Sequence, residues 1–318
     1  MTDTSRFDPE MLAFQAARDA DAAQYPPLQV GFPFEPQRAV NDALNLITAQ
    51  GGPVPAEMRD LWVAARGRRI FCRLYRPSAA KNLPLVVYFH GGGWVWSSVD
   101  THDRLAREIC TGSGMAVLSV DYALSPEAKF PQAMLECAAV TEYAAGAGAA
   151  EWGIDPTRLF VAGDSAGANL ALATALALRD RAGPALAGIV AFYPVCDADF
   201  TRPSYRDFAT GYGLTRERME FYWNVYVPHE ADRSHPLAAP LHADLAGLPP
   251  VLVQLAELDV LRSEGEALVE KLRAAGVAVS HETFAGVVHG FLRATSGVAK
   301  ARKAVEGACA FLRAQLQR

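Results

Sequence analysis

The chain has 318 residues, 51% hydrophobic and 20% charged, with a mean hydropathy of +0.05, which fits one large globular domain plus an appendage. A net charge of −5 and scattered arginines offer no basic stripe of the kind nucleic acid requires. No uncharged apolar run reaches the length of a membrane span, and Met1 to Asp8 lacks the basic and apolar regions of a secretory signal.

Residues 1–55 are unlike the rest. Met11 to Asp21 predicts a helix that Tyr25-Pro26-Pro27 breaks, and Val40 to Gln50 predicts another, stopped by Gly51-Gly52-Pro53. Between them lies Val30-Gly31-Phe32-Pro33-Phe34, aromatic and proline-punctuated. A segment this apolar, without a core of its own, is expected to pack on the remainder as part of a lid. From Asp60 the pattern turns to strands. Leu61 to Arg66 and Arg69 to Tyr75 flank Gly67-Arg68 and predict an antiparallel hairpin. Leu85 to Phe89 and Met115 to Val120 are continuous apolar runs, as in strands buried on both faces, with helices expected over Leu105 to Cys110 and Gln132 to Tyr143. An Ala/Gly-rich link leads to Arg158 to Ala162, of strand type, and then to the Ala- and Leu-rich helix Ala168 to Leu178. After the strand Gly188 to Tyr193, residues 196 to about 245 lose the alternation and carry aromatics, proline and histidine. It returns with the strand Val251 to Leu255, a helix over Ser263 to Ala275, the strand Ala278 to Phe284 and a helix over Val298 to Gln315. This succession predicts an α/β chain with a mostly parallel sheet covered by helices on both faces.

The pivot of the chain is Gly163-Asp164-Ser165-Ala166-Gly167, between a strand and a helix. There a tight turn exposes the serine at its apex, the small neighbours admit adjacent backbone, and free helix N–H groups favour developing negative charge. His90-Gly91-Gly92-Gly93-Trp94 directly follows a strand, and its glycines leave N–H groups open to a reacting carbonyl, joined by the N–H of Ala166. Asp259 and His289 each follow a later strand, giving the order Ser165, Asp259, His289. Serine is a poor nucleophile until an imidazole takes its proton, and a carboxylate fixes the imidazole's tautomer. Asp164 suits a supporting role beside the serine, and Glu257 is the serious rival for the acid. His102 reads as capping or hydrogen-bonding structure at a helix start; His229, His235, His242 and His281 show no metal spacing and carry no assigned role. Five cysteines, Cys72, Cys110, Cys137, Cys196 and Cys309, have no paired spacing and read as buried thiols of a cytoplasmic protein without a metal site.

These motifs, with Asp121-Tyr122-Ala123-Leu124-Ser125-Pro126-Glu127 through Pro131, Gly211-Tyr212-Gly213-Leu214-Thr215 and His289-Gly290-Phe291, resemble the bacterial hormone-sensitive-lipase-like (family IV) esterases of the GDSAG subgroup. The resemblance runs from about residue 60 to the C-terminus. It implies an α/β-hydrolase fold with a helical cap: residues 1–55 and 196–245 forming the cap, 56–195 and 246–318 the catalytic core. It implies Ser165 as nucleophile, His289 as base, Asp259 as acid, Gly92, Gly93 and Ala166 as N–H donors of an oxyanion hole, and His90 as a holder of the glycine loop. Three departures stand out. Asp259-Val260-Leu261-Arg262-Ser263-Glu264-Gly265 lacks the family's proline and second acid, Ala168 stands for a usual glycine, and Ala123 and Ser125 replace the usual Arg and Ala, removing an expected structural ion pair.

The resulting expectation is a serine carboxylesterase acting on a small or short-acyl ester, needing no cofactor or metal. Trp94, Trp96, Phe32, Phe34, Tyr193, Phe208 and Tyr212 are the aromatic candidates for an apolar pocket under the cap. An amidase, lactonase or deacetylase is the close alternative, and a non-catalytic receptor the distant one, disfavoured by an intact Ser165, Asp259 and His289. A homodimer is compatible with this reading; a nucleic-acid or membrane partner is not expected.

Overall fold

A computed structural model describes residues 3–26 and 34–317 of the protein. Helix α1 (Pro9–Ala22) starts where Asp8 accepts the N–H groups of Glu10 and Met11 and Pro9 takes a position that needs no N–H. Helix α2 (Phe34–Ala49) begins well ahead of the expected Val40. Pro36 falls in its first turn, where a missing N–H costs nothing, so a residue that reads as punctuation sits inside the helix. Strands β1 (Glu57–Ala65) and β2 (Arg68–Arg76) form the hairpin. Its turn is Arg66-Gly67, one residue earlier than the sequence suggests, with φ of 57° and 71°, the left-handed pair that tight hairpins prefer.

Strand β3 (Leu83–Phe89), helix α3 (Asp103–Ser113), strand β4 (Ala116–Asp121) and helix α4 (Gln132–Ala145) follow. The expected Ala/Gly-rich link contains a further short helix, α5 (Ala147–Trp152), whose alanines favour helix and whose Trp152 is buried. Then come β5 (Ile154–Asp164), α6 (Ala166–Asp180) and β6 (Gly188–Phe192). Residues 196–245 hold helices α7 (Pro203–Asp207) and α8 (Arg216–Tyr226) and two short 3-10 turns. Strand β7 (Val251–Leu258), helix α9 (Arg262–Ala274), strand β8 (Val279–Val288) and helix α10 (Ala299–Gln315) complete the chain.

All eight strands form one sheet in the order β1-β2-β4-β3-β5-β6-β7-β8. Only β2 pairs antiparallel, with β1 and β4; every other pairing is parallel. Every residue of β3 is buried, as a strand covered on both faces requires. Helix α3 packs on α10, and α4 on α6. The fold is therefore the α/β arrangement that the alternation predicts. Strand order reverses around β4-β3-β5, and ligands of such sheets bind where it does, at the carboxyl ends of the strands. Asn169 on α6, fully buried, donates to the carbonyls of Val195 and Ala238 and so ties both sides of the 196–245 segment to the helix behind the serine. All five cysteines are buried and free. Among the described residues no helix is long and apolar enough to cross a membrane.

Candidate active site

Ser165 sits between β5 and α6 with φ 56° and ψ −120°, a conformation that L residues adopt only under constraint. The neighbouring glycines show what enforces it. A Cβ at Gly163 would meet the backbone of Gly167 and the carbonyl of Phe89, and one at Gly167 would overlap that same carbonyl on β3. Ala168, which departs from the family pattern, is a helical and fully buried position that accepts its methyl group.

Asp259 and His289 directly follow strands β7 and β8. His289 Nδ1 lies 2.7 Å from Asp259 Oδ2, and its Nε2 lies 2.8 Å from Ser165 Oγ. With Nδ1–H donating to the carboxylate, Nε2 is left as the acceptor for the serine hydroxyl. Asp259 is 1% exposed and its Oδ1 takes the Leu261 N–H, which holds the loop in place without the family's proline. The rival acid is elsewhere: Glu257 accepts the Gly286 N–H and faces Arg6. The Tyr193 ring meets the imidazole of His289 edge-on at 4.7 Å.

The glycine loop after β3 is held from beneath. Asp164 Oδ1 accepts the Tyr88 hydroxyl at 2.6 Å and the Gly91 N–H at 2.8 Å, and His102 Nε2 stands 3.4 Å away. Burial opposes ionisation of Asp164, yet His102, Tyr88 and Arg293 outweigh it and hold the carboxyl below the usual range. His102 therefore supports this carboxylate rather than capping α3, whose N-terminus receives no side-chain bond from it. His90 stacks on Tyr122 at 4.3 Å and its Nδ1 meets the Gly91 carbonyl at 2.8 Å. Burial and His102 push its pKa down to about 3, so it is neutral. Gly92 and Gly93 have φ of 121° and 62°; a side chain on either would strike the Trp96 carbonyl or the Tyr222 ring. Among the described residues, the N–H groups of Gly92, Gly93 and Ala166 find no protein acceptor. The ion pair expected to be lost with Ala123 has a substitute nearby. Buried Glu136 accepts the Ala123 N–H and pairs with Arg68 at 3.1 Å.

Ser165, His289, Gly92 and Gly93 line a cavity of about 370 Å³. Of the aromatic candidates, Trp96 is on its wall, and Phe32 lies outside the described residues. The other five are not on the wall, and each has a packing reason. Trp94 is fully buried, stacked on Tyr226 at 4.2 Å and edge-on to Trp223. Phe34 stands behind Trp96, against Phe221. Tyr193 backs the imidazole. Phe208 has the guanidinium groups of Arg6 and Arg262 over its ring, at 5.0 and 5.2 Å, and Tyr212 stacks on Phe7. Nor is the wall mainly apolar: Arg18, Asn41 and Asn45 come from α1 and α2, Arg218 from α8, and Arg293 from the turn after His289. Sequence reading missed these because an isolated arginine on a helix reads as a solvated face. Arg293, four residues after His289, gave the one usable signal.

A hydroxyl made nucleophilic by an imidazole, at the carboxyl edge of a mostly parallel sheet, marks the class of serine hydrolases. Comparison with known proteins agrees. A family described as alpha/beta hydrolase fold matches residues 86–293. The carboxylesterase NlhH of Mycobacterium tuberculosis is 40% identical over 225 residues, covering 69% of this chain and 70% of that protein. An ethyl acetate hydrolase of Pseudomonas putida is 36% identical over 84% of this chain and 85% of its own. The crystal structure of a thermostable esterase from Pseudomonas putida superposes with a TM-score of 0.91 at 36% identity, covering 98% of each chain. The chain belongs to the α/β-hydrolase family and, within it, to the hormone-sensitive-lipase-like carboxylesterases.

Proposed function

We propose that the protein is a serine carboxylesterase that hydrolyses small or short-acyl esters through an acyl-enzyme. The observation that carries this is the hydrogen-bonded chain from Ser165 through His289 to Asp259, opening on a cavity of about 370 Å³. Ser165 Oγ attacks the ester carbonyl as His289 Nε2 takes its proton. The N–H groups of Gly92, Gly93 and Ala166 receive the charge that develops on the carbonyl oxygen, and Asp259 stabilises the imidazolium. His289 then protonates the departing alcohol, and a water activated by the same nitrogen releases the acid. The cavity lies near the lower end of the range for small-molecule sites, which favours short chains. Helices α1, α2 and α8 supply part of its wall, in keeping with a cap made from residues 1–55 and 196–245. The five buried free thiols favour a reducing compartment such as the cytoplasm.

The test is hydrolysis of p-nitrophenyl esters from acetyl to dodecanoyl by wild type and Ser165→Ala. Activity peaking at short chains and lost in the variant is expected. A folded wild type without turnover on any of them removes the esterase reading in favour of an amide, a lactone or a ligand held without turnover.

A further inference from the structure

The cavity holds more positive charge than a neutral ester needs. Arg18, Arg218 and Arg293 all reach its wall, and none forms an ion pair among the described residues. Two of them share a single neutral acceptor. Asn45 Oδ1 takes Arg18 Nη2 at 3.2 Å and Arg293 Nη1 at 2.8 Å, while its own amide donates to Asn41. Asn45 is 1% exposed and so is a fixed bridge between the two guanidinium groups. Arg293 Nε is buried without a partner among the described residues. Gly290 makes room for this side chain, since a Cβ there would stand 2.7 Å from Arg293 Nη2. Two carboxylates, Asp19 and Asp164, also line the cavity. Asp164 is already engaged by Tyr88, Gly91 and His102, and Asp19 is exposed. Arg18 feels burial first and Arg293 second, ahead of Asp19 and Asp21, and its pKa falls to about 10, which leaves it charged at neutral pH. Two like charges drawn together over an amide, in the space where a substrate must sit, form a socket for an anion.

We propose that Arg18 and Arg293 bind a carboxylate carried by the substrate, so that the preferred ester is an anionic one. This rests on the esterase reading given above. The carboxylate belongs either to the acyl part, as in a half-ester of a dicarboxylic acid, or to the alcohol part, as in an acylated hydroxy acid. Arg18 is then a specificity-determining residue of the site.

Two matched pairs separate these cases, each followed by acid release: monoethyl glutarate against diethyl glutarate, and acetoxyacetate against propyl acetate. In one pair at least, kcat/KM for the charged ester is expected to exceed that of its neutral partner about tenfold or more, the effect of one charge-assisted hydrogen bond. Arg18→Gln is expected to lower that ratio about tenfold, mainly through KM. Arg293→Gln serves as the second variant should Arg18→Gln not fold. Neutral esters turned over as fast as charged ones in both pairs, or a ratio that neither variant moves, overturns the inference and leaves the esterase reading standing. If folded wild type hydrolyses none of the four, the esterase reading is what fails. Calorimetric titration of Ser165→Ala with monoethyl glutarate and with acetoxyacetate then decides the anion site, with absence of binding counting against it.

Discussion

At the scale of single residues, the proposed roles separate cleanly by magnitude. Ser165→Ala is expected to lower kcat on p-nitrophenyl acetate by about a millionfold, and Asp259→Asn by about ten-thousandfold, since a wrong imidazole tautomer leaves the rest of the site intact. Glu257→Gln, which keeps an acceptor for the Gly286 N–H, is expected to stay near wild type; a dead Glu257→Gln beside an active Asp259→Asn would reverse the assignment. Trp94→Ala is expected to appear as a stability loss of about 3–5 kcal/mol in denaturant unfolding, because the ring is core. Glu264 provides a pH test. Its carboxyl is fully buried, accepts the Cys196 N–H at 2.7 Å, and burial raises its pKa well above the ordinary 4.5. A group with a raised folded pKa contributes stability that is complete below the unfolded value and is lost as pH rises through the folded one. Glu264→Gln, neutral at every pH, should therefore gain in Tm relative to wild type as pH rises above about 4.5. A constant difference between the two would contradict a protonated Glu264. The six proposed reactive and donor positions were legible because motif and strand order constrain them together. The pocket aromatics were not, since a ring on a wall and a ring in the core carry the same letters, and only burial separates them.

Among the elements, α2 is the one whose anchoring the sequence hid. Arg38 grips Glu127 with both terminal nitrogens, at 2.8 and 2.7 Å, and also donates to the carbonyls of Val95 and Ser125. One side chain thus fastens α2 to the end of the glycine loop and to the Asp121–Pro131 segment. Lysine has no such planar fork. Arg38→Lys is expected to raise KM and to speed amide exchange across α2 while leaving β3 unchanged; unaltered exchange would mean that the other contacts of α2, those of Asn45 among them, hold it without Arg38. Asn169→Ala, which strips the partner from two buried carbonyls, is expected to cost about 1–3 kcal/mol and to loosen residues 196–245. Element types were mostly readable from period and composition. Their ends were less so, because Pro36 and the Arg66-Gly67 turn obey local geometry that a hydrophobic pattern does not record.

Over the whole molecule, stability should be graded from the sheet outward. Every residue of β3 is buried, whereas α1 buries Met11 alone. Amides of β3 are therefore expected to exchange only on global unfolding, and those of α1 through cheaper local openings, as native-state hydrogen exchange measures. Equal protection in both would refute this gradient. It bears on chemistry, since α1 carries Arg18 into the cavity. The architecture as a whole was legible from the alternation and the elbow. The charge of the cavity was not, because it assembles from α1, α2, α8 and the turn after His289, which only the folded chain brings together.

The Asp164 carboxylate gives the site a property that no single distance expresses. It is the residue next to the nucleophile, and it holds the Gly91 N–H of the opposite loop. The proposed nucleophile and the proposed N–H donors thus hang from one hook, and thermal drift of either loop carries the other along. Displacements of Ser165 and of Gly92 should accordingly be correlated, so that the spacing between them fluctuates less than the position of either.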